Sequence, residues 1–181
     1  MRAFVALPLP EPWIAPLIRA QDAVRGGRAV EVDDLHLTLA FLDDQPEARL
    51  AALHETLEAA RAEAVELRPL AFAAFGEARA RLVALDLVAT PELSALRDRV
   101  RSAVRMAGID LPRERFRPHV TLVRFPASAP PDAARLPRAM AGLGRPEMAP
   151  EAARLVVLWG STLTPEGPIY DPLATYPLRA A

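Results

Sequence analysis

The pattern that most limits how this chain can fold is His-x-Thr-Leu inside an apolar run, because it occurs twice. The first copy is Leu35-His36-Leu37-Thr38-Leu39, followed by Ala40-Phe41-Leu42, and the second is Pro118-His119-Val120-Thr121-Leu122, followed by Val123-Arg124-Phe125. Two of the three histidines stand in it. The surroundings repeat as well. Val5-Ala6-Leu7 lies before the first copy and Val83-Ala84-Leu85 before the second, each separated from it by a proline-initiated helical segment. Ala48-Arg49-Leu50 follows one copy and Ala134-Arg135-Leu136 the other. Two units make a duplication, not a solenoid. The expectation is one α+β domain over residues 1–181, bilobal, with repeat units at roughly 1–64 and 80–140. A pseudo-two-fold axis relates two antiparallel sheets that line a central cleft, with helices on the outside.

Apolar patterning and proline or glycine punctuation predict the elements. Arg2 to Leu9 reads as a strand, Glu11 to Val24 as a helix, and Leu35 to Leu42 as the first motif strand. A second helix runs to about Ala64, and strands follow at Leu67 to Phe75 and Arg81 to Val88. Thr90-Pro91 has the residue types of an N-cap and a first helical position, opening a helix that runs to about Met106. After the second motif strand come a short helix within Asp132 to Met140 and strands at Ala153 to Gly160 and Ile169 to Leu178, joined by residues 161–168.

Side chains alternate faces along a strand, so His36 shares a face with Thr38, and His119 with Thr121. The leucines and Val120 take the opposite, core-facing side. Two such polar faces across a pseudo-dyad surround one cavity with two imidazoles and two hydroxyls. That set suits cleavage of a cyclic phosphodiester. One neutral histidine takes a proton from the attacking water, and one protonated histidine gives a proton to the leaving ribose oxygen. The threonine hydroxyls donate to non-bridging phosphate oxygens. No metal and no cofactor is needed. His54, in the second helix without such a partner, reads as a packing or surface residue.

Other groups are candidates by position. Arg117 and Arg124 flank the second motif and carry the planar fork that suits phosphate. Strict alternation puts Arg117 on the His119 face and Arg124 off it, so Arg124 needs a bend to reach the cleft. The same parity sends Phe41, a candidate for stacking on a base, toward the core. Tyr170, after the glycine–proline turn, is a further substrate-binding candidate. The chain has no cysteine and no lysine, which closes thiolate, disulfide, Schiff-base and lysyl-nucleotide chemistry. A net charge of -1 argues against a broad nucleic-acid binder. No run of about 18 apolar residues is present, so no membrane partner is expected. The N-terminus has no signal-peptide pattern. The reading is a cytoplasmic monomer with no obligatory protein partner.

These residues resemble the 2H phosphoesterase superfamily, and within it the bacterial and archaeal RNA 2′,3′-cyclic phosphodiesterases, also called 2′-5′ RNA ligases. The resemblance rests on both motifs, on Met1-Arg2-Ala3-Phe4-Val5-Ala6-Leu7, on Phe116-Arg117-Pro118 before the second motif, and on Ser161-x-Leu163-x-Pro165-x-Gly167-x-x-Tyr170 with Tyr176-Pro177-Leu178. It implies hydrolysis of an RNA 3′-terminal 2′,3′-cyclic phosphate to a 2′-phosphomonoester, with His36 as proton donor and His119 as proton acceptor. It also implies reversible 2′-5′ joining. Two alternatives stay open: another branch acting on a small nucleotide bearing a 2′,3′-cyclic phosphate, and a non-catalytic module that holds nucleotides or RNA ends. The chain departs from the family pattern at Ala29 and Ala84, where aromatics are usual, and at Asp43 and Asp86, where glycine is usual. The resemblance therefore implies a cleft with fewer aromatic surfaces.

Overall fold

The computed structural model describes residues 1–76, 79–132, 134–165 and 167–180. Ala133, in the segment expected to hold a short helix, and Glu166, in the expected connection between the last strands, lie outside the described residues. The strands are β1 (Arg2–Pro8), β2 (Arg28–Ala29), β3 (His36–Asp44), β4 (Val65–Leu67), β5 (Pro69–Phe75), β6 (Leu82–Leu87), β7 (His119–Arg124), β8 (Glu151–Ala153), β9 (Leu155–Thr164) and β10 (Gly167–Pro177). The helices are α1 (Glu11–Ala23), α2 (Glu47–Ala59), α3 (Pro91–Met106) and α4 (Arg135–Leu143).

The two sheets meet. The strand order is β10-β9-β1-β3-β7-β6-β5, with β2 on β7, and every pairing is antiparallel. The four-stranded arm ending in β3 joins the arm beginning with β7 through one pair, Leu37 with Val120. Both residues are fully buried. Each is the middle residue of its His-x-Thr, so the seam of the molecule runs through both motifs.

The pairing inside the two arms matches residue for residue. On β1 and β3, Pro8 faces His36, Leu7 faces Leu37 and Ala6 faces Thr38. On β6 and β7, Asp86 faces His119, Leu85 faces Val120 and Ala84 faces Thr121. Both ladders then slip by one residue: Val5 faces Ala40, and Val83 faces Val123. Leu39 and Leu122 are the extra residues of two bulges at the same place in the motif. A bulge resets side-chain parity. The exposure sequence from each histidine onward is accordingly the same, half-buried, buried, half-buried, buried, buried, exposed. Phe41 and Arg124 thus emerge on the cleft side. This corrects the parity argument that sent both away from it.

The opposite face of the sheet carries the core. Ala3, Val5, Leu7, Leu37, Val83, Leu85 and Val120 are fully buried there. Helices α1 and α4 pack behind β7 and β5, whereas α3 packs behind β3 with α2 alongside it. The helix that connects the strands of one arm therefore supports the other arm, and one apolar cluster draws on both. Trp13 is seated in it, with its indole N–H donating to Ala149 O at 2.8 Å. Thr90 caps α3 as expected, its Oγ1 accepting from the Leu93 N–H at 3.2 Å. Among the described residues no helix is long and apolar enough to cross a membrane.

Other departures from the expected elements are local. Helix α2 stops at Ala59, and the chain then makes β4, which pairs with β8 in a two-stranded ribbon. The expected strand Leu67 to Phe75 is divided at Arg68, because Pro69 has no N–H to continue a ladder. Strands β9 and β10 extend to Thr164 and from Gly167, so most of the expected connection is hairpin. Asp43, where the family pattern has glycine, has φ of 55°. A side chain is rarely at ease there, which accounts for the usual glycine.

One close approach involves a glycine. A Cβ on Gly27 would run into the side chains of Val123 and Phe125 and the carbonyl of Arg124. Gly27→Ala is expected to cost about 1–3 kcal/mol of stability by overpacking, read as a lowered Tm. An unchanged Tm would show that β2 does not lie against β7 as described.

Candidate active site

Antiparallel pairing of Leu37 with Val120 sets the neighbours on the cleft face. His36 lies across from Thr121, and Thr38 lies across from His119. In a regular ladder the two histidines are then diagonal neighbours, with Cα atoms about 7–8 Å apart. The local two-fold axis of the pair exchanges His36 with His119 and Thr38 with Thr121. All four residues are half-buried in the sheet, and His36 and Thr121 line one pocket.

Both imidazoles are fixed in the same manner. His36 Nδ1 lies 2.6 Å from Asp34 O, and His119 Nδ1 lies 2.8 Å from Arg117 O. A carbonyl only accepts, so Nδ1 carries the hydrogen and Nε2 is the free nitrogen of each ring. The acceptor is in each case the carbonyl two residues upstream. The sequence spacing thus builds the same tautomer twice.

The surroundings of the two rings differ. His36 is stacked on Phe4, with ring centroids 4.7 Å apart, and Tyr170 presents its edge at 5.6 Å. Phe4 is flanked across the sheet by Trp159 on β9 and Phe41 on β3. Of Phe4, Trp159 and Phe41 only Phe41 is exposed, Phe4 being buried beneath the His36 ring. Phe41 is 45% exposed, with the Arg2 guanidinium 5.1 Å from its ring centroid. Burial, with a smaller contribution from the nearby Arg124 and His119, pushes the pKa of His36 down to about 4 against the upward pull of the Asp34 carbonyl. Burial likewise raises the Tyr170 hydroxyl above its ordinary range. His119 has a more open setting, against Phe75 at 4.8 Å.

Arg124 lines one pocket together with His36, Thr121, Tyr170, Asp34 and Arg28. Arg117 is placed differently. Its guanidinium is 2.6 Å from Asp86 Oδ2 and sits 3.9 Å above the centroid of Phe75, at the His119 side of the cleft. His54 stands apart, 3.0 Å from the Tyr176 hydroxyl on the helical side. Sequence reasoning gave no site role to Phe4, Phe75, Asp86 or Arg28, Asp86 standing out only as a departure from the usual glycine. Phe4 and Phe75 were legible only as strand apolars. Arg28 becomes a neighbour of Arg124 through a two-residue strand, too short to have a periodicity.

The 2′-5′ RNA ligase superfamily model matches residues 8–158. An RNA 2′,3′-cyclic phosphodiesterase of Thermus thermophilus is 36% identical over 198 residues, spanning 99% of this chain and 91% of that one. One of Archaeoglobus fulgidus is 28% identical, spanning 97% and 99%. Among solved structures, a Thermus thermophilus protein superposes with a TM-score of 0.78 at 30% identity, covering 99% of both chains. E. coli LigT complexed with 3′-AMP gives 0.70 at 26% identity, covering 98% of this chain and 96% of that one.

Proposed function

Because the chain belongs to the 2′-5′ RNA ligase superfamily of 2H phosphoesterases, we propose that His36 and His119 are the acid and base with which it opens a cyclic phosphate. The protein is an RNA 2′,3′-cyclic phosphodiesterase. Water attacks phosphorus, the P–O3′ bond breaks, and the product is a 2′-phosphomonoester. His119 Nε2 takes the water proton and His36 Nε2 gives one to O3′. Thr38 and Thr121 donate to the non-bridging oxygens, and Arg124 adds a permanent charge beside His36 and Thr121. Phe41 and Tyr170 offer faces to the nucleoside. Attack of a 5′-hydroxyl on the same phosphate, in place of water, gives 2′-5′ joining without ATP. Both motifs come from one chain, so one chain is the active unit.

The observation that carries this reading is the seam: one residue pair brings two identically held imidazoles onto the same face. The donor role requires that substrate restore a proton to His36, because burial lowers its pKa to about 4. In the free protein His36 is neutral at pH 7. An arriving phosphodiester anion neutralises the field of Arg124 and places negative charge against the ring, so the substrate itself favours protonation. The protonated ring then faces the leaving O3′ as its acid.

A dinucleotide ending in a 2′,3′-cyclic phosphate, incubated with the protein and EDTA, is expected to yield only the 2′-phosphate. A 3′-phosphate product would reverse which oxygen is protonated and overturn the assignment of donor and acceptor. Activity that disappears with EDTA would remove the two-histidine mechanism.

A further inference from the structure

The two motifs differ at one register position. Opposite His36 stands Pro8; opposite His119 stands Asp86. Asp86 is only 8% exposed. Its Oδ2 accepts from Arg117 Nη2 at 2.6 Å, while Oδ1 has no hydrogen-bond partner among the described residues. Burying a carboxylate with one oxygen unpartnered, against an arginine whose side chain is half in solvent, is a poor way to gain stability. The geometry beyond the pair points to another role. Arg117 lies on the ring of Phe75, and Phe75 packs on the imidazole of His119. The cross-strand row between those of Phe75 and His119 is Ala73, Ala84 and Thr121, and the diagonal from Phe75 to His119 passes over the methyl of Ala84. The main chain closes the loop: Arg117 O accepts from His119 Nδ1, and the Leu87 N–H donates to Pro118 O at 2.9 Å.

We propose that Asp86 is a positioning residue for His119, acting through Arg117 and Phe75. The carboxylate anchors the guanidinium, the guanidinium holds the phenyl ring, and ring and carbonyl together fix the imidazole. The small Ala84 and the acidic Asp86 form one device, since Phe75 can reach His119 only across Ala84. Arg117 is thereby committed to orientation, and the charge facing the phosphate falls to Arg124. This rests on the reading of His119 as the base.

The test compares Asp86→Asn, Arg117→Met and the double variant on the cyclic-phosphate dinucleotide, with His119→Ala alongside. Each single variant is expected to lose about tenfold in kcat through a displaced imidazole, with KM within about twofold. The double variant is expected to be no worse than the poorer single one, because all three break the same chain of contacts. Unchanged kcat in folded single variants, losses that multiply, or a raised KM with intact kcat would each overturn the proposal. If Arg117→Met alone unfolds around a stranded carboxylate, the double variant carries no stranded charge and still gives the decisive kcat. Undiminished turnover in His119→Ala would instead sink the role of His119. A His119→Ala variant slowed about 10²-fold or more beside a fully active Asp86→Asn would leave that role standing and overturn the proposed role of Asp86.

Discussion

His36→Ala and His119→Ala are each expected to lower kcat by about 10²–10⁴-fold on a cyclic-phosphate dinucleotide, with small changes in KM. In the proposed mechanism each ring supplies a proton transfer that water must otherwise make, and neither carries the charge that binds the phosphate. Binding is there assigned to Arg124, the threonine hydroxyls and the faces of Phe41 and Tyr170. The two losses are expected to overlap, so that the double variant is far less impaired than their product. Once one proton transfer is uncoupled, the other no longer meets the same transition state. Steady-state kinetics on the two single variants and the double variant checks this. Full activity in either single variant would remove that histidine from the reaction. An intact kcat with KM raised 100-fold would turn the site into a binding surface.

Acidification from pH 6.5 to 4 is expected to cost the folded protein about 3 kcal/mol through His36 alone. The sign follows from the direction of the shift. The folded-state pKa is about 4, below the ordinary 6.5, so the unfolded chain takes up the proton first. Stability from this group is complete above pH 6.5, falls as the pH drops through the window, and does not change further below 4. Denaturant melts of the wild type against His36→Gln across that window isolate the term, since other groups cancel in the comparison. The same ring, followed by NMR, is expected to titrate near pH 4 in the free protein and higher with a nucleoside 2′-phosphate bound. A midpoint at 6.5 without ligand would mean that the Phe4 and Tyr170 enclosure does not desolvate it. No upward movement on binding would undercut its role as proton donor.

Much of this site was legible because two of its determinants are local. Period-two alternation joins each histidine to its threonine, and the spacing to the upstream carbonyl fixes the tautomer. The doubled motif in a chain with three histidines supplied the pairing. The failures also have physical reasons. Alternation cannot register a bulge, so the slips at Leu39 and Leu122 hid the true side of Phe41 and Arg124. Arg117 looked free because its partner, Asp86, is distant in sequence and becomes a neighbour only through the ladder. The usual aromatics are absent at Ala29 and Ala84, yet Phe4 and Trp159 meet beside His36 through strands at opposite ends of the chain. Strand β4 and its partner β8 are three residues each, below the length at which a period can be seen.

The Leu37–Val120 pair has a consequence for how such a protein can diversify. The spacing between the two imidazoles is set at the seam, by one fully buried contact supported from behind by crossed helices. The faces proposed to meet the nucleoside lie away from the seam, Phe41 toward the far end of β3 and Tyr170 on β10. Replacements there are expected to retune which nucleotide is accepted while the spacing of the imidazoles stays untouched. A methyl lost at the seam, by contrast, alters both catalytic strands in one step. The chain in effect separates the dimension that must not vary from the ones that can.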